Sequence, residues 1–172
     1  MKLPLTRSLK LSYGMFVVYL CGVLMWEGCA RQDIGPRQPI AFSHAKHAGE
    51  YKMNCQYCHS GVRRGPNAYV PSVQTCMGCH SLVAATKPEI VKIRTAWEAK
   101  QPIQWMRVNK LAEYVYFNHY PHIAKGVQCE TCHGDVAAMS ELKPPFAVNN
   151  MTWCVDCHRE NKAPIDCQTC HR

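Results

Sequence analysis

Ten of the twelve cysteines in this 172-residue chain fall into one pattern, which constrains the fold more than any other feature. Cys55-Gln-Tyr-Cys58-His59, Cys76-Met-Gly-Cys79-His80, Cys129-Glu-Thr-Cys132-His133, Cys154-Val-Asp-Cys157-His158 and Cys167-Gln-Thr-Cys170-His171 each carry two thiols three positions apart and a histidine directly after the second. No Cys-x-x-Cys pair lacks its histidine. Thiols at this spacing can each add to a vinyl group of one haem, which leaves the next residue under the iron as proximal ligand. The pattern predicts five covalent haems c, with His59, His80, His133, His158 and His171 on the irons.

Two plainer readings compete. Cys55, Cys58, Cys76 and Cys79 alone match a paired zinc-ribbon spacing, and an even cysteine count outside the cytoplasm commonly means disulfides. Neither needs a histidine after every pair, and five pairs cannot be consumed two at a time.

Five haems in 172 residues leave about 34 residues for each, too few to wrap every macrocycle in a conventional core. The expected fold is a mostly irregular, haem-packed chain with short α-helices and essentially no sheet, preceded by one N-terminal transmembrane helix. The charge balance fits the same picture. Lys+Arg 20 against Asp+Glu 12 gives +8, and ten haem propionates would turn that into about −2 with all irons ferrous. The basic excess therefore reads as propionate compensation, with Arg63, Arg64 and Arg107 as candidate partners, and not as a nucleic-acid surface.

Lys2, Arg7 and Lys10 precede an apolar run from Leu11 to Trp26. At ~1.5 Å per residue this run makes about 24 Å against a ~30 Å hydrocarbon core; Lys10 can snorkel and Gly28 to Ala30 can extend it. No Ala-x-Ala-like cleavage site follows, and Trp26-Glu27-Gly28 is a poor approach to a lipidated Cys29. Residues 1–30 are expected to be an uncleaved anchor in the cytoplasmic (inner) membrane. The basic flank keeps the N-terminus in the cytoplasm and puts the rest on the periplasmic side. Residues 31–41, rich in Gln, Gly and Pro, read as a linker.

The four remaining histidines reveal a repeat. Phe42-Ser-His44-Ala-Lys-His47 precedes Cys55, and Phe117-Asn-His119-Tyr-Pro-His122 precedes Cys129 at nearly the same distance. Histidines three apart on a helix can serve irons on either side of it, so His44, His47, His119 and His122 are the expected distal ligands. Residues 42–85 then form a dihaem module and residues 117–172 a trihaem module. Residues 86–116 connect them, with an amphipathic helix from Pro88 whose apolar face holds Ile90, Ile93 and Trp97.

The paired-histidine segments followed by Cys-x-x-Cys-His sites resemble class III cytochromes of the c3 and c7 type. From Phe42 onward the whole arrangement is similar to the pentahaem subunit of alternative complex III, with Tyr116-Phe117-Asn118-His119 and Trp153-Cys154-Val-Asp-Cys157-His158-Arg159 among the shared motifs. That resemblance implies an electron-transfer subunit of a quinol:electron acceptor oxidoreductase. Its implied partners are an iron–sulfur subunit of molybdopterin-enzyme ancestry, integral membrane subunits that bind quinol, and a downstream cytochrome c, copper protein or oxidase.

An iron held by two strong axial ligands changes oxidation state without binding substrate, so such a chain is not an enzyme on its own. Nine histidines supply one ligand too few for five irons. A methionine is the expected substitute, with Met139 and Met151 in the trihaem module as candidates. An open site would instead suit a catalytic multihaem enzyme of the nitrite or hydroxylamine type. A small quinol dehydrogenase feeding a soluble reductase shares the anchor and the haems.

Overall fold

Helices in this protein are short because the attachment motifs and their caps punctuate the chain. The computed structural model describes residues 35–142 and 150–172. The expected anchor and the first part of the expected linker lie outside them; among the described residues, no helix is long and apolar enough to cross a membrane. Five helices are built on attachment motifs: α1 (Cys55–Cys58), α2 (Val73–His80), α5 (Cys129–His133), α6 (Met151–Glu160) and α7 (Cys167–Cys170). Two more, α3 (Pro88–Glu98) and α4 (His119–Ala124), lie between them, with a π-helical segment Ala45–Glu50 and 3-10 turns Ser60–Arg63 and Val136–Ala138. No strand occurs among the described residues, as expected.

Asn and Asp start four of these helices. The side-chain oxygens of Asn54, Asn118, Asn150 and Asp166 accept from the amides of Gln56, Tyr120, Trp153 and Thr169 at 2.8–3.1 Å. Each cap satisfies a donor that the first turn leaves unpaired. Pro88 opens α3, where its fixed φ suits the first helical position.

The apolar core is small. Ile40, Val62, Ile90 and Ile93 are the buried hydrophobic side chains among the described residues. Ile90 and Ile93, one turn apart on α3, meet Ile40, with Val73, Cys76, Met77, Ile103 and Trp105 packed around them. The expected apolar face of α3 is thus formed by its first two members and covers α2, the helix of the second motif. Trp97, a turn further on, stays 45% exposed. Burying an isoleucine contributes about 1.5–3 kcal/mol, whereas ordering one residue costs about 1–2 kcal/mol. Four such side chains cannot hold a chain of this length.

Residues 35–172 make one compact unit in which the two expected modules interleave. The π-helical segment packs on Val136–Ala138, and Ala45 N donates to the Met139 carbonyl at 2.8 Å. A Cβ on Gly49 would collide with the Ala137 carbonyl there. The far end of the expected linker is also fixed: the Gln38 amide brackets the Met106 backbone (2.9 and 3.0 Å), and Ala41 N donates to Glu89 Oε2 (2.7 Å).

Candidate haem-binding sites

The duplicated Phe-x-His-x-x-His has the same geometry twice. Phe42 meets His44 edge-on (centroids 4.9 Å, 83°) and stacks on His47 (4.4 Å, 20°). Phe117 meets His119 edge-on (4.8 Å, 87°) and lies tilted against His122 (4.7 Å, 31°). Such contacts add about 0.5–1.5 kcal/mol beyond burial and fix both rings. In each copy the residue after the phenylalanine gives its carbonyl to the second histidine: His47 Nδ1 donates to Ser43 O and His122 Nδ1 to Asn118 O, both at 2.8 Å.

That hydrogen bond recurs across the molecule. His59 Nδ1 donates to Tyr69 O (2.6 Å), His80 to Val83 O (2.9 Å), His119 to Pro66 O (2.6 Å), His158 to Pro164 O (2.6 Å) and His171 to Tyr114 O (3.0 Å). A carbonyl oxygen only accepts, so Nδ1 keeps the proton and Nε2 keeps its lone pair for a metal. Gly61 makes part of this possible. A Cβ there would strike Asn67 O and the Tyr69 ring, so only glycine lets the 66–69 loop lie close enough to serve His59 and His119 together. Tyr69 takes a left-handed φ of 60° to aim its carbonyl, at a cost of about 1–2 kcal/mol.

The rings also pair across space. An imidazole nitrogen binds a metal at about 2.0–2.1 Å with the ring centre about 1.1 Å behind, so two rings on opposite sides of one iron have centres roughly 6.2–6.4 Å apart. His47 and His80 stand 6.1 Å apart, His119 and His133 6.4 Å, and His122 and His158 6.1 Å. Each pair joins an expected distal histidine to an expected proximal one. Among the described residues, no three His, Cys, Asp or Glu converge as a bare metal ion would require. Histidine pairs beside Cys-x-x-Cys-His motifs are the donor set that fits haem, which takes two ligands from the protein.

Comparison with known proteins agrees. Residues 115–172 match the family described as cytochrome c7 and related cytochrome c, and residues 29–107 match the class III cytochrome C family. The chain is 30% identical over 162 residues to the "menaquinone reductase, multiheme cytochrome c subunit" of Nitratidesulfovibrio vulgaris strain Hildenborough; the match covers 78% of this chain and 77% of that one. The chain belongs to the multihaem cytochromes c. Covalent haem c and electron transfer come with that membership.

In this cytochrome none of the ten motif cysteines is taken up in a disulfide, and all are exposed or half-buried. His44 is the fourth expected distal ligand. Burial, then the His59 and His47 rings, lower it to about 4, which keeps the imidazole neutral as ligation requires. Its Nδ1 is buried without a hydrogen-bond partner. With His44 beside His59, His171 is left without a second histidine.

The two candidate methionines separate. Met139 lies at the π-helical segment of His44 and His47, through its carbonyl to Ala45 N. Met151 opens α6, one turn ahead of Cys154, and Cys154 in turn has Cys170 as the first neighbour acting on it after burial. Of the arginines expected to serve propionates, Arg63 donates to the Gln56 side chain and Arg107 Nε to Asn109 O (3.0 Å).

Sequence reasoning missed Asn109. Its side-chain amide lies 3.5 Å from His133 Nδ1, where the other motifs use a carbonyl, and its Oδ1 is buried without a partner. Burial, then His119 and His59, lower His133 as well. No repeat or spacing marks Asn109, because the other motif histidines bond backbone carbonyls at Nδ1.

Proposed function

We propose that this cytochrome carries five haems c and is the pentahaem electron-transfer subunit of a membrane quinol:electron acceptor oxidoreductase of the alternative complex III kind. Residues 1–30 anchor it, and the haem-bearing part stands on the extracytoplasmic side. The observation that carries the reading is the set of preformed imidazole pairs 6.1–6.4 Å apart, with Nδ1 of most motif histidines tied to a carbonyl. Haem supplies the ferric/ferrous couple when bound. The paired histidines would hold the irons, and the carbonyls bonded to Nδ1 would keep Nε2 free of a proton for them.

The residue completing the fifth site is a methionine. Met151 is favoured over Met139, because positions 151 and 154 share a helix face and Cys154 neighbours Cys170. A second reading comes from the relative, named for a menaquinone reductase, which would run electrons towards the quinone instead of away from it.

Purification from detergent-solubilised membranes tests the proposal. Co-isolation with an iron–sulfur or molybdopterin-type subunit and large integral membrane subunits, with haem reduction by added quinol, is the expected result. Oxidation of the reduced haems by added quinone would favour the second reading. A chain that isolates alone and feeds a soluble reductase would contradict both.

A further inference from the structure

We propose that the five attachment motifs form one unbranched row in the order 76–80, 55–59, 129–133, 154–158, 167–171, so that the second and last motifs of the sequence are its two ends. The inference rests on the reading that every motif carries a haem, and it departs from sequence order, which would set the second motif against the third.

The links are separate observations. The π-helical segment joins the second motif to the first: His47 faces His80 at 6.1 Å, while His44, three residues earlier on the same segment, lies within electrostatic range of His59. The 66–69 loop joins the first to the third. Its Tyr69 carbonyl holds His59, its Pro66 carbonyl holds His119, and α4 packs on the Ser60–Arg63 turn directly after His59. The Cys129 and Cys55 side chains are also in contact. The third and fourth motifs share α4, whose His119 faces His133 at 6.4 Å and whose His122 faces His158 at 6.1 Å. The fourth meets the fifth where Pro164, just before α7, holds His158, and Cys154 neighbours Cys170. The site without a second histidine, at His171, therefore stands at an end of the row, where a lone partner can exchange electrons with it. The other end is His80.

Nearest haems shift one another's midpoint most, because interaction between charges falls with distance. In the full haem-loaded chain, His47→Met tags the second motif and His122→Met the fourth. Redox titration followed by assigned haem methyl NMR signals reads which neighbours move. The His47→Met tag should shift the first-motif haem more than any other; the His122→Met tag should shift the third and fifth together. A His47→Met tag that moves the third-motif haem as much as the first would overturn the order, as would a His122→Met tag that moves only one neighbour. Exchange spectroscopy on the partly reduced, unaltered chain yields the same pairwise shifts, so the order is read even where a variant fails to load. Intact mass on the unaltered sample separates the two levels. Five haems with a different coupling pattern overturn the row alone, whereas fewer than five overturn the loading on which it rests.

Discussion

A histidine here is suited to hold an iron by what its other nitrogen does. Carbonyls of Ser43, Pro66, Tyr69, Val83, Tyr114, Asn118 and Pro164 hold the Nδ1 protons of seven rings, which sets each Nε2 towards its site. His171 has this support and a tilted Tyr114 ring 5.8 Å away, but no second histidine. Met151 is expected to complete that site. A thioether donates less to ferric iron than imidazole does, so this haem should have the highest potential of the five. Near-infrared magnetic circular dichroism of the oxidised protein should show one His–Met signature among bis-histidine ones, and Met151→Ala should abolish it. Only bis-histidine signatures would defeat the assignment, and a native high-spin haem that binds cyanide or nitrite readily would revive a catalytic role.

At the scale of elements, four of the short helices, α1, α4, α6 and α7, have a first turn capped by an Asn or Asp side chain. Asn118 has two tasks: its side chain caps α4 and its carbonyl holds His122. Asn118→Ala removes the cap and keeps the carbonyl, so it should cost about 1 kcal/mol. The expected readout is a lower denaturant midpoint with unchanged axial ligation in the visible and EPR spectra. Unchanged stability would contradict the capping role. Side-chain chemistry made much of this legible from sequence. The cysteines, their histidines and the Phe-x-His-x-x-His repeats are residue identities at fixed spacing, and three of the four expected distal histidines meet motif histidines ring to ring. Pro66, Tyr69, Val83 and Pro164 were not legible, because a backbone carbonyl carries no residue identity. The order of the motifs hangs on one loop and on Gly61, which contacts distant in sequence decide.

For the whole molecule, the expectation of a haem-built interior agrees with four buried hydrophobic side chains among the described residues, none of them aromatic. The two modules are read as separate along the chain, yet the π-helical segment packs on Val136–Ala138 and α4 on the Ser60–Arg63 turn. Equal spacing in sequence marks a repeat; it does not show which surfaces of the copies meet. The small core among the described residues predicts that folding and haem attachment are coupled, as in other proteins whose cofactor completes the interior. Haem count is thus the quantity on which fold, row and function all depend. The most direct measurement is intact mass of the denatured chain with pyridine haemochrome quantitation on the same sample. The account predicts five haems retained covalently on every chain, and four or fewer in fully matured protein would contradict it.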